Sequence, residues 1–182
     1  KLFVDYAGLT MDIVDRSSGE VQTAQIFVAA LGASSFTYVE ASLTQTVADW
    51  LGAHVRAFEY IGGVTQAIVP DNLRSGVSRA CRYEPEINPT YADMACHYGI
   101  CVLPARPARP RDKAKVENGV LIAKRWILAV LRHRTFYTLA DLNTAIGELL
   151  QRLNNRPLRK LKQSRRELFL LFDQPNALAL PH

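Results

Sequence analysis

Three acidic residues stand where a carboxylate needs a reason to be. Asp5 lies inside the apolar run Leu2-Phe3-Val4-Asp5-Tyr6-Ala7, Asp71 directly follows Ala67-Ile68-Val69-Pro70, and Glu117 comes after a stretch rich in proline and arginine. An unpaired carboxylate withdrawn from water costs several kcal/mol, so the first two imply a metal, a cation or a water-filled cleft. Mg²⁺ takes oxygen ligands in octahedral geometry and is commonly held by one or two carboxylates together with substrate phosphate oxygens. Three convergent acids can therefore seat two ions about 4 Å apart, an arrangement that serves in-line displacement at a phosphodiester. Each acid alone also has an ordinary reading: an edge-strand residue for Asp5, a turn residue for Asp71, a surface helix acid for Glu117. Asp12 and Asp15 compete with Asp5, although Asp15 sits in the turn sequence Asp15-Arg16-Ser17-Ser18-Gly19.

The elements that must position these acids are legible as patterns. Residues 2–7 and 10–14 read as two short strands separated by Gly8, a hairpin, and residues 21–31 as a third strand rich in β-branched and aromatic residues. Thr44 is a candidate N-cap for a helix carrying Val47, Trp50, Leu51, Val55 and Phe58, stopped by Gly62-Gly63. Ala67-Ile68-Val69 suits a strand buried on both faces, ended by Pro70. A short helix over 90–98 and a buried strand over 100–103 follow. The helix expected over 112–131 has Val116, Val120, Ala123, Ile127 and Val130 on one face, and Lys113, Glu117 and Lys124 on a neighbouring one. Thr138 opens a last helix whose apolar side is Leu142, Ala145, Ile146, Leu149, Leu150 and Leu153. The order predicts an α/β fold, a mixed sheet with helices on both faces.

Charge divides the chain. Its 182 residues carry a net charge of +5, but residues 1–104 hold six basic against eleven acidic residues and residues 105–182 hold sixteen against six. A polyanion meeting the basic half is the economical reading, the alternative being a solubilising surface. Arg106, Arg109, Arg111, Lys113, Lys115 and Lys124 form the expected DNA-binding strip, and Lys113 could equally pair with Glu117. Cys81, Cys96 and Cys101 lack metal-ligand spacing and read as core residues of a reduced, cytoplasmic protein. His54, Trp50 and Trp126 read as packing, while Asn72 and Asn118 adjoin acids and could orient water or DNA. No apolar run reaches the roughly 18 residues that span a membrane, and the opening Lys1-Leu2-Phe3 suggests a fragment of a longer protein.

Taken in order, Phe3-Val4-Asp5-Tyr6-Ala7-Gly8, Val69-Pro70-Asp71-Asn72-Leu73 and Lys113-Ala114-Lys115-Val116-Glu117-Asn118-Gly119 resemble the DDE transposases and retroviral integrases, and most closely the IstA-type transposases of bacterial insertion sequences. The resemblance spans nearly the whole chain. It implies an RNase H-like fold with a five-stranded mixed sheet, Asp5, Asp71 and Glu117 as catalytic residues and ligands of two Mg²⁺ or Mn²⁺ ions, and cleavage at transposon ends followed by 3′-hydroxyl strand transfer. It also implies double-stranded DNA as substrate, a homo-oligomer on paired ends and a AAA+ ATPase helper. The sequence departs in spacing, with 45 residues between Asp71 and Glu117 against roughly 35 in the integrase signature, which leaves the path of residues 74–90 open. A catalytic core over 1–155, and a basic linker with the start of a C-terminal region over 156–182, are expected. Two rivals keep most of these features: an RNase H-like nuclease on RNA–DNA hybrids or branched DNA, and a catalytically silent DNA-binding assembly module.

Overall fold

The first strand, β1, runs unbroken from Leu2 to Val14. In the computed structural model, which describes residues 1–70, 77–79, 86–103 and 110–181 and gives the backbone alone for 77–79, 86–87 and 110–116, no hairpin breaks it at Gly8. It pairs antiparallel with β2 (Val21–Leu31) along its whole length, and the register shifts between Tyr6 and Thr10. Gly8 sits in that bulge at φ 65, a left-handed conformation that glycine adopts without a Cβ penalty. The partner strand is long enough to bind both halves, so the glycine bends one strand instead of ending it. Asp15 organises the turn that follows, accepting from the backbone N–H of Ser17 and of Ser18 at 2.8 Å each. These bonds, led by that from the Ser17 hydroxyl, hold its carboxyl down at about 2.

A strand the sequence pattern did not announce, β3 (Thr37–Ser42), lies beside β2 at the sheet's edge. Glu40 interrupts its apolar run, yet it is buried, gripped by Arg56 at 2.7 and 2.8 Å and by the Tyr38 hydroxyl at 2.7 Å. Arg56 belongs to α1 (Val47–Ile61), whose N-cap is Thr46, two residues later than expected, and whose C-cap is Gly62. The sheet continues with β4 (Ala67–Pro70), a separate pair β5 (Val77–Arg79) and β6 (Glu86–Ile87), α2 (Pro89–His97) and β7 (Cys101–Val102). Its order is β3-β2-β1-β4-β7, antiparallel among the first three and parallel from β1 to β4 to β7. This is the expected mixed α/β sheet.

Alternation along β1 and β2 divides the interior in two. Leu2, Val4, Tyr6 and Phe27 face α1 and α2, where Trp50, Phe58 and Tyr91 are buried. Ala7, Ile26 and Val28 face the other layer. That layer starts with α3 (Pro110–Ala123), continues through a π-helical turn (Lys124–Leu128) into α4 (Ala129–Leu131), and ends with α5 (Leu139–Asn155). The widened turn corrects one expectation. Val120, Ala123 and Ile127 are buried as the helical period requires, but the next buried positions are Leu128 and Leu131, leaving Val130 and Trp126 exposed. A turn closed by i→i+5 bonds contains one more residue, so the apolar stripe advances by one. Helix α5 also closes the edge of β3: Asn143 bonds both the N–H and the C=O of Ala41 (2.7 and 3.0 Å), and Asn154 does the same to Thr37 (3.1 and 2.8 Å). An edge strand covered this way offers no template for pairing.

Residues 156–181, expected as a basic linker and the start of a C-terminal region, fold back onto this body. Pro157 bridges to Ser164, and α6 (Arg165–Leu168) starts with a capping box between Ser164 and Glu167. Phe169 then stacks on Phe36 at 4.6 Å, the Ser34 N–H donates to Asp173, and Val64 pairs with Leu178. The basic residues of the tail disguised this apolar anchoring. The cysteines correct another expectation, since Cys96 and Cys101 are exposed, while Cys81 lies outside the described residues. Among the described residues no helix is long and apolar enough to cross a membrane.

His54 is more deeply placed than its sequence context suggested. It is fully buried in α1, its Nδ1 lies 2.7 Å from the Trp50 carbonyl oxygen, and its Nε2 lies 3.1 Å from the Tyr91 hydroxyl. This pattern fits a neutral ring that donates from Nδ1 and accepts at Nε2. Burial pushes its pKa down to about 4 from an ordinary 6.5, partly offset by the carbonyl bond. Because the folded value lies below the unfolded one, the unfolded chain binds the extra proton first. The stabilisation is complete above about pH 6.5 and is lost as pH falls towards 4, a change of about 3 kcal/mol. Urea unfolding at pH 7 and pH 4.5 should show this drop, and His54→Gln should flatten it; an equal slope in the variant would remove His54 as its source.

Candidate active site

Asp5 is half-buried on β1, between Val4 and Tyr6, whose side chains enter the α1 layer. By alternation Asp5 belongs to the opposite face, with Phe3 and Ala7. Its cross-strand partner Val28 is part of the layer beneath α3, which fixes that face independently. The Tyr6 N–H donates to Asp5 Oδ1 at 2.8 Å. Asp12 lies beyond the bulge between Met11 and Ile13, both buried beneath the α3 layer, so it points the other way and is exposed. Asp15 is committed to its turn. Of the three acids in the first strand and turn, only Asp5 shares the face covered by α3.

Strand β4 runs parallel to β1, with Leu2 opposite Ile68, Phe3 opposite Val69 and Val4 opposite Pro70. The pairing therefore ends one residue before an acid in sequence on both sides: Asp5 follows Val4 on β1, and Asp71 follows Pro70, the last residue of β4. Asp71 itself lies outside the described residues, as do Asn72, Arg106 and Arg109. Proline suits the last position of such a strand, since it cannot donate to a further ladder bond. The carboxyl ends of parallel strands in α/β sheets are where open clefts form.

Glu117 is exposed on α3, ahead of the buried Val120 and Ala123 that hold the helix to the sheet. Gly119 sets how closely the helix approaches. A Cβ there would lie 3.1 Å from Ala30 Cβ and 3.9 Å from Val28 Cγ1, and these are the cross-strand partners of Phe3 and Asp5. Glycine in a helix interior is unfavourable relative to alanine, and Gly119 has no positive φ to justify it. Space is what it supplies: α3 rests directly on the strand next to Asp5. Arg111, Lys113 and Lys115 lie on the same helix N-terminal to Glu117, with side chains outside the described residues, and Lys124 is partly buried in the π turn.

Carboxylate oxygens such as those of Asp5, within β1, and Glu117, on the helix over that face, are the hard donors a divalent cation such as Mg²⁺ takes, and no cysteine or histidine intrudes on Asp5 or Glu117 in sequence. Among the described residues no three acids, histidines or cysteines form a metal-ligand group, the candidate third ligand being Asp71.

No family model matches the chain. It is 53% identical over 177 residues, 97% of its length, to a protein of Sinorhizobium fredii provisionally named a transposase, y4bL/y4kJ/y4tB. It is 50% identical over its whole length to a protein of Burkholderia multivorans provisionally named as the transposase of insertion sequence IS408. The chain spans about a third of the length of these relatives, 34% and 35%. In fold it is similar to the HTLV-2 integrase catalytic core domain, solved in complex with magnesium, at a TM-score of 0.64 and 15% identity, covering 92% of this chain and 94% of that one. The five-stranded mixed sheet is thus the RNase H-like fold of integrase cores.

Proposed function

The chain is a homologous segment of the insertion-sequence transposase family, and on that premise we propose that it is the catalytic core, with Asp5, Asp71 and Glu117 holding two Mg²⁺ or Mn²⁺ ions for cleavage at transposon ends and 3′-hydroxyl strand transfer. The observation that carries the reading is the β1–β4 register, which ends at Val4 and Pro70, with Asp5 next on β1 on the face covered by Glu117's helix and Asp71 next in sequence after β4. When bound, the ions would activate the attacking oxygen and stabilise the leaving oxygen of an in-line displacement. The Tyr6 N–H orients the Asp5 carboxylate by donating to its Oδ1 at 2.8 Å. Arg106, Arg109, Arg111, Lys113, Lys115 and Lys124 hold the DNA backbone by charge, which positions the duplex without reading its sequence. A homo-oligomer on paired ends and a AAA+ helper belong to the same proposal.

The test is metal-dependent joining of a 3′-hydroxyl transposon end to plasmid DNA by the full-length protein. Cleavage of hybrids or branched DNA without joining would favour a nuclease, and binding with neither reaction an assembly module. The reading also gives Gly119 a measurable role. Gly119→Val must raise α3 from Ala30, and a misplacement of about 1 Å can cost roughly a hundredfold in rate. Joining should fall by about that factor with DNA affinity retained, and Ala30→Gly should restore part of it in a Gly119→Ala background. A Gly119→Val protein with full activity would show that the height of α3 is immaterial.

A further inference from the structure

Where the π turn meets the end of α5, the surface carries an aromatic side chain that packing does not explain. Trp126 is 44% exposed, whereas Trp50, the other tryptophan of the chain, is fully buried. The guanidinium of Arg156, at the C-cap of α5, lies 4.0 Å over the Trp126 ring. Arg152 stands one turn earlier on α5, Arg125 precedes Trp126, and Arg159 and Lys160 follow in the turn after α5; all of these are exposed. No acidic residue occurs from 118 to 140 or from 149 to 166. The next acid, Glu167, is taken up by its capping box with Ser164.

Glu148, four residues before Arg152 on α5, is the acid nearest in sequence, and among the described residues it forms no ion pair with these groups. Among the described residues the one ion pair is Arg56–Glu40, in another part of the fold. Arg165 lies buried beneath the junction, donates to the Leu153 carbonyl oxygen at 3.3 Å, and has an Nε with no hydrogen-bond partner. Burial, and then the charge of Arg156, lower its pKa. Guanidinium groups gathered with no acid paired to them among the described residues are left for an external anion.

We propose that Trp126 and Arg156, with Arg125, Arg152 and Arg159, form a second DNA-backbone contact, separate from the proline-arginine strip, in which the stacked Arg156 is a pre-organised phosphate clamp. Stacking on an indole fixes the plane of the guanidinium while leaving its in-plane N–H donors free for bidentate phosphate recognition. The exposed tryptophan is then a support for the arginine. Trp126 comes nine positions after Glu117, about 13 Å along the helix axis. This inference rests on the reading of the chain as a DNA-processing core. A protein partner on the same patch would call for acids among the basic residues or a broader apolar surface, and the charges favour duplex DNA.

The experiment uses the full-length protein, with Trp126→Phe as the blank that isolates the emission of Trp126. Saturating duplex DNA should quench that emission and shield it from iodide. Arg152→Ala, Arg156→Ala and Arg159→Ala combined should lower the slope of log affinity against log salt by about 0.9 for each phosphate no longer neutralised, with Trp126→Phe weakening binding less than Trp126→Ala. Arg165 stays intact, because its burial makes it a folding residue. An unchanged slope with Trp126 still open to iodide at saturating DNA would overturn the second DNA contact and leave the active-site reading standing. Shielding of Trp126 that grows with protein concentration in the absence of DNA would overturn it in favour of an interface between copies. Failure of the parent protein to bind DNA would overturn both readings.

Discussion

Asp5→Asn is expected to abolish end cleavage and strand transfer together while leaving the fold in place. The amide oxygen of asparagine can accept the Tyr6 N–H that Asp5 Oδ1 now accepts at 2.8 Å, and the side chain keeps its size on the half-buried position of β1. Gone is the negative charge a hard divalent cation requires. If Asp5 is a ligand, the cost is several kcal/mol of transition-state stabilisation; about 4 kcal/mol corresponds to roughly a thousandfold in rate. A second readout does not depend on catalysis. Mn²⁺ should raise the melting temperature of the parent protein by mass action, because it binds the folded state alone, and this rise should vanish in the variant. A variant that melts normally, still gains stability from Mn²⁺ and still joins ends would place the metal elsewhere. Asp12→Asn is the control: that residue is exposed on the opposite face, and its substitution should change neither readout.

The proposal for these acids could be framed from the sequence because each motif combined a residue type with a structural setting. An acid inside Leu-Phe-Val-Asp-Tyr-Ala, another directly after a strand closed by proline, and a third on an amphipathic helix are local patterns, and period and composition report local patterns well. What escaped depended on partners distant in sequence. The strand holding Glu40 was not announced by its pattern, and Arg56 and Tyr38, brought up by α1 and by the strand itself, show why a buried carboxylate is tolerated there. Gly8 read as punctuation because glycine usually ends a strand; a partner strand spanning both halves turned it into a bulge. Val130 lay on the expected apolar stripe, and Trp126 read as packing, until a widened turn moved that stripe by one residue. A single π turn leaves no mark on hydrophobic periodicity beforehand. The tail showed its charges plainly, whereas its anchor, Phe169 on Phe36, joins residues 133 positions apart.

Glu117→Gln separates chemistry from binding and from folding. Glutamine has nearly the size and helix propensity of glutamate, and Glu117 is exposed, so α3 should form and pack as before through Val120 and Ala123. The substitution removes one negative charge, which a Mg²⁺ site needs and a DNA-binding surface does not. If Glu117 is the third ligand, cleavage and joining should fall together, by a factor comparable to that of Asp5→Asn, because both steps use the same ions on the attacking and leaving oxygens. DNA affinity should hold or rise slightly, since a basic surface loses a repulsive charge. A plain surface glutamate paired with Lys113 predicts something different: a change of about 0.3 kcal/mol in helix stability and full activity. The two readings diverge by roughly three orders of magnitude in rate, far more than so small a change in folding can produce. Strand transfer, a DNA titration and a thermal melt on the same full-length preparation decide between them. Near-normal joining by the glutamine variant would sink the assignment and move the search for the third ligand to another acid, while loss of joining with loss of folding would be resolved by Glu117→Asp, which keeps the charge and shortens the reach.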